Sequence, residues 1–155
     1  MSVQTPEIVD YNGTTYKTRS LPFHVYIHQN KLEKHFVWTS SALLRGYVGK
    51  WEIKDDKLWL VELLVKRNGE VLNVFKEYFP ENTPVFASWY SGYIVCPQEK
   101  IIEQFSSFEV YKEEVHFKIK MGQLEYVKRI DNEAGENEQV NRIQELRRLI
   151  SGKKK

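Results

Sequence analysis

The stretch from Leu44 to Val65 constrains this fold more than any other part of the chain, because it reads as two strands joined by a polar turn. In the first arm Tyr47, Trp51 and Ile53, with Gly49 between them, fall on one side of a period of two, and Val48, Lys50 and Glu52 fall on the other. That is the pattern of a half-buried strand. The second arm places Leu58, Leu60 and Leu64 on one side and Trp59, Val61, Leu63 and Val65 on the other, interrupted only by Glu62. A strand apolar on both sides belongs in the middle of a sheet. The linker Lys54 to Lys57 suits a turn built on type I geometry, since its two aspartates can bond their own backbone.

The remaining punctuation also points to strands. Asn12-Gly13 separates Ile8 to Tyr11 from Thr14 to Thr18 as an opening hairpin, and Asn68-Gly69 starts a return strand at Val71. Phe23 to Lys34 is ambiguous in period and is read as a short helix or an irregular crossing. Phe36-Val37-Trp38 is expected as a strand, Lys76 to Pro84 as loop, and Val85 to Cys96 as a strand with a bulge at Ser91-Gly92. Lys100 to Ser106 is expected to form a helical turn. Phe108 to Lys120 and Leu124 to Ile130 then pair about a glycine turn at Met121 to Gln123, with Val115, Phe117 and Ile119 inward and His116, Lys118 and Lys120 outward.

The expected fold is mainly β (α+β): an antiparallel curved sheet or partly closed barrel of about eight strands with a C-terminal helix. Residues 1–132 are read as one β-rich domain. Residues 133–155 are read as an acidic linker, an amphipathic helix bearing Val140, Ile143, Leu146, Leu149 and Ile150, and a basic Lys153 to Lys155 tail.

Composition narrows the function classes. At 155 residues the chain is the size of one ordinary domain and can bury roughly two-thirds of its unfolded surface. With 23 basic against 21 acidic residues, no strong positive field marks it as a dedicated nucleic-acid binder, so nucleic acid is not the expected partner. A single cysteine, Cys96, excludes an internal disulfide and fits a reducing cytosol. No basic-then-apolar leader opens the sequence, and no apolar run is long enough to span a bilayer, so a cytoplasmic protein without membrane contact is expected. Four Trp, nine Tyr and eight Phe are the unusual feature; such rings fill twisted sheets, and a few can line a pocket.

Several residues invite chemistry. His24 and His28 lie four apart and would share a helix face, but no third ligand follows at a metal-site spacing and Val25 stands where a zinc-protease helix has glutamate; with His35 they are read as surface or structural histidines. No metal and no cofactor is expected. Arg45 is the sole Lys, Arg, Asp or Glu between Lys34 and Lys50 and should pair with a carboxylate or backbone carbonyl, or else receive an anionic ligand. Ser91 lacks the glycine pattern of a nucleophile elbow. Cys96 has no neighbour in sequence that would activate its thiol. No catalytic residue is assigned.

Arg45 to Ile53, with Leu58 to Leu60 and Phe86 to Gly92, resembles a group of small bacterial β-rich proteins built around RGYxGxWEI and FAxWxSG motifs. The resemblance covers roughly Phe36 to Met121 and implies a bacterial, cytosolic, β-rich domain, with no activity attached.

The functional expectation is therefore a non-catalytic binding or accessory domain of a bacterial cytosolic protein, its partner an unknown protein or small ligand. Its expected ligand pocket has Arg45 and Ser91 as polar groups and Tyr47, Trp51, Trp89 and Tyr90 as walls. The alternatives are a small hydrolase using His24 or His28 with a carboxylate, an immunity-type protein, and nucleic-acid binding through the Lys118 and Lys120 face plus the basic Lys153 to Lys155 tail. A homodimer formed through the C-terminal helix is a further expectation.

Overall fold

A computed structural model describes residues 4–37, 42–81, 83–98, 101–104, 109–111 and 113–131. The chain forms β1 (Glu7–Tyr11), β2 (Thr14–Thr18), α1 (Pro22–Gln29), β3 (Val48–Lys54), β4 (Lys57–Arg67), β5 (Glu70–Asn73), α2 (Phe75–Tyr78), β6 (Val85–Phe86), β7 (Gly92–Pro97), β8 (Ile101–Gln104), β9 (Glu109–Tyr111), β10 (Glu113–Lys120) and β11 (Gln123–Asp131). A single 3-10 turn, Glu33–His35, follows α1. The expected helix at Val140 to Ile150 and strand residue Trp38 lie outside the described residues.

The chain divides into two compact units, Met1–Cys96 with His116–Lys128, and Pro97–Val115 with Arg129–Lys155. In the second, β8 and β9 pair antiparallel. Within the expected helical turn Lys100 to Ser106, Ile101–Gln104 is a strand, because its residues find a ladder partner in Glu109–Tyr111; Lys100, Phe105 and Ser106 lie outside the described residues.

The main sheet has nine strands in the order β2-β1-β3-β4-β11-β10-β7, with β5 and β6 also bonded to β4. It is mixed rather than antiparallel. The connection 19–47, carrying α1, is long enough to return the chain alongside β1 in the same direction, so β1 and β3 pair parallel with Val9 opposite Trp51. The sheet is not a closed barrel. Its outer strands β2 and β7 are linked by side chains, Thr18 Oγ1 donating to Val95 O at 2.6 Å and Val95 N donating to Ser20 Oγ at 3.1 Å, with no backbone ladder between them.

The organising hairpin forms as β3 and β4, but two details differ from the sequence pattern. Asp55 and Asp56 both adopt left-handed backbone, at φ 54° and 57°, so the turn is of the mirror-image type that matches strand twist. β4 does not bury both faces. Lys50 pairs with Glu62 and Trp51 with Leu60, leaving Val61 as an extra residue. That bulge shifts the alternation, so Leu58, Leu60, Leu63 and Val65 are all buried while Trp59 and Leu64 are half-buried and Val61 is exposed. β4 is nonetheless central, with β3 along one edge and β5, β6 and β11 along the other.

Three more turns obey their glycines: Asn12-Gly13, Asn68-Gly69 and Met121-Gly122 all have positive φ at both positions. Three segments depart from expectation. Phe36 and Val37 form no strand, Phe75–Tyr78 is a short helix where loop was expected, and Val85 to Cys96 splits into β6, a turn and β7. The turn arises because Ala87 N donates to Leu58 O at 2.9 Å and Tyr90 N to Ala87 O at 3.1 Å, which folds the chain across the start of β4.

Helix α1 begins at Pro22, whose missing N–H costs nothing in the first turn. It buries Pro22, Phe23 and Ile27. The Phe23 ring is the hub of the aromatic core, within 5.2 Å of Tyr26, 5.6 Å of Phe36, 5.5 Å of Tyr47, 6.3 Å of Phe79 and 6.4 Å of Trp89 between centroids. Phe23→Ala is expected to cost about 3 to 5 kcal/mol in chemical denaturation. The exposed Leu44→Ala should leave the midpoint unchanged; similar effects of the two substitutions would contradict this core.

Candidate functional site

The first strand carries a charge into the interior. Glu7 shares its side of β1 with Val9, and its side chain is wholly buried. Its carboxylate receives Arg45 Nη2 at 2.9 Å, the Gly49 backbone N–H at 2.6 Å and the Trp51 indole N–H at 3.0 Å. Burial pushes this carboxyl above the usual carboxylate range, while Trp51, Gly49 and Arg45 pull it back. Three N–H donors converging on two oxygens is the geometry of an ionised carboxylate. Gly49 is required by the same cluster, since a Cβ there would lie 2.6 Å from Glu7 Oε1 and 2.7 Å from Trp51 Nε1.

Arg45 is therefore paired internally, with only 10% of its side chain exposed. Its guanidinium also lies 5.4 Å from the centre of the Tyr47 ring. Tyr47 and Trp51 are buried, and burial, then the Glu7 charge, push the Tyr47 phenol well above its ordinary value. Trp89 meets Trp51 at 6.4 Å and donates its indole N–H to Pro22 O at 2.9 Å. The structure thus brings Arg45, Tyr47, Trp51 and Trp89 together, with Tyr47 and Trp51 buried and Arg45 and Trp89 partly buried beside them.

Tyr90 and Ser91 serve a different place. The Tyr90 hydroxyl donates to Tyr93 O at 2.8 Å, and Ser91 Oγ accepts the Met121 N–H at 2.9 Å. Gly122 N donates to Tyr90 O at 2.9 Å, and a Cβ on Gly122 would sit 2.7 Å from Ala87 O, so the glycine lets two turns touch. None of the six residues expected to form a pocket lines either of two surface clefts. One, about 760 Å³, lies beside the Asn12-Gly13 and Asp55-Asp56 turns and is lined by Asp10, Glu52 and both aspartates. The other, about 400 Å³ and apolar, is lined by Ile8, Leu43, Val48, Leu64 and Val71.

His24, His28 and His35 are all exposed. His28 Nδ1 is 3.5 Å from Glu33 Oε1, and His35 Nδ1 is 3.1 Å from the Tyr78 hydroxyl. Among the described residues no group of three or more His, Cys, Asp or Glu side chains is placed to hold a metal. No helix among them is long and apolar enough to cross a membrane.

What the sequence pattern did not single out is an outward aromatic cluster. With Val115, Phe117 and Ile119 buried, His116, Lys118 and Lys120 lie on the opposite face of β10. On that face the Lys118 ammonium sits 4.6 Å from the Tyr93 ring centre, and the His116 ring 6.3 Å from it. The Tyr93 hydroxyl is 2.8 Å from the Tyr126 hydroxyl, and each tyrosine is 45% exposed. Lys128 shares the Tyr126 side of β11 by its period of two and is exposed. Glu114 precedes His116 on β10, and the exposed Glu125 adjoins Tyr126 on β11.

Comparison with protein-family models, curated proteins and solved structures gives no match.

Two outcomes test this description. Glu7→Gln and Arg45→Met should each cost about 3 to 5 kcal/mol, because each strands a buried charge or donor. The double variant Glu7→Leu/Arg45→Met should cost much less than the sum, measured by denaturant unfolding; additive losses would show that the pair does not interact. Burial also pushes the Cys96 thiol up to about 12, with the Thr18 hydroxyl pulling it partly back. Cys96 should therefore resist iodoacetamide at pH 8 in the native protein and react once unfolded; fast native alkylation would contradict its burial.

Proposed function

We propose that this chain is a non-catalytic binding domain of the bacterial cytosol that meets its ligand on an open sheet face. The observation that carries this is the Tyr93–Tyr126–Lys118 cluster. Two half-exposed tyrosines joined through their hydroxyls, with a lysine held over one ring, offer aromatic surface, hydrogen-bonding oxygens and positive charge at one place. Rings fixed in advance lose little freedom when a ligand arrives. The interior motifs support the same proposal indirectly: Arg45, Tyr47 and Trp51 are committed to packing and pairing, which leaves outer surfaces for recognition.

Amide chemical-shift mapping of the full chain against a panel of a sulfated oligosaccharide, an acidic peptide and single-stranded oligo(dT) tests the proposal. Perturbations are expected at 93, 116–120 and 126–128 with at least one probe. Tyr93→Ala and Lys118→Ala should abolish them while leaving the unfolding midpoint unchanged. A face silent to every probe, or responses centred on another surface, would overturn it.

A further inference from the structure

We infer that the ligand of the β7–β10–β11 face is a single-stranded nucleic acid, an inference that rests on the binding role proposed above. Three features of the face carry it. The first is charge: Lys118 and Lys120 stand two residues apart on β10, about 6.6 Å at a strand's rise of about 3.3 Å per residue, and Lys128 adds a third ammonium group on β11. Ammonium groups spaced in this way complement a chain of phosphates.

The second is the ring pair. Tyr93 and Tyr126 sit 6.4 Å apart at 66° and are half-exposed, so they present π surface to solvent on a rigid sheet. Aromatic side chains of this kind stack bases without demanding a particular sequence. The third is the setting of the rings on a sheet face. A duplex keeps its base faces hidden, so stacking on these rings requires unpaired bases.

The near balance of charge over the whole chain, 23 basic against 21 acidic, does not oppose this, because recognition here is local. It does predict weak long-range steering and hence strong dependence on the cluster itself.

Fluorescence anisotropy of the full chain with labelled oligo(dT) and with a duplex of equal length, from low to physiological salt, tests the inference. Oligo(dT) should bind more tightly than the duplex. Tyr93→Ala should weaken binding by about five- to a hundredfold through lost stacking. Lys118→Ala should reduce the slope of log affinity against log salt by about 0.7. Circular dichroism should show both variants folded. Absence of oligo(dT) binding, equal binding of the duplex, or affinity indifferent to both substitutions would overturn the inference. If oligo(dT) fails while another probe of the panel perturbs the same face, the nucleic-acid inference falls and the binding role stands.

Discussion

The structure depends on one buried carboxylate. Glu7 enters the interior on the first strand and gathers Arg45, the Gly49 amide and the Trp51 indole around it. Each of these would be costly to bury alone, and together they pair around the carboxylate, with the buried Arg45 Nε left without a hydrogen-bond partner. The cluster also ties distant parts of the chain: Arg45 lies 38 positions from Glu7 and Trp51 lies 44. Because β1 must lie beside β3 for these contacts to form, the carboxylate favours the parallel pairing that makes the sheet mixed. An antiparallel meander would not deliver Glu7 to Gly49.

The aromatic core is built outward from the same place. Trp51, held by Glu7, packs on Trp89, and Phe23 joins Trp89 to Tyr47, so a helix from one stretch and a turn from another close over the charged cluster. Glycine at positions 49 and 122 permits the closeness, the first beside Glu7 and Trp51 and the second beside Ala87. Tyr47 and Trp51 are therefore core, Trp89 is partly buried beside them, and the tyrosines left half in water are Tyr93 on β7 and Tyr126 on β11.

Much of this was legible from local chemistry. Asn-Gly pairs announced two turns, the alternation around Trp51 gave β3, and that around Phe117 gave the inner face of β10. Other features were hidden for physical reasons. The Val61 bulge leaves no residue-type signature, so β4 looked apolar on both sides when a shift in alternation had collected its leucines on one. Residues 87–91 have strand composition, yet long-range hydrogen bonds to Leu58 and Gly122 bend them into a turn. Core and pocket draw on the same residue types, so Trp51 and Trp89 read as pocket walls until their neighbours were known. Glu7 carries no local signal of its role, which exists only through a non-local pairing.

Hydrogen exchange of the Gly49 amide and the Trp51 indole N–H measures the central claim most directly. Both donate to a fully buried carboxylate, so both should exchange only through global unfolding, with protection that tracks denaturant stability. The Trp59 indole, bonded to Lys54 O at an exposed position, should exchange much faster. Exchange of Gly49 and Trp51 at the rate of Trp59 would mean that the Glu7 cluster opens locally, and that the fold does not rest on it.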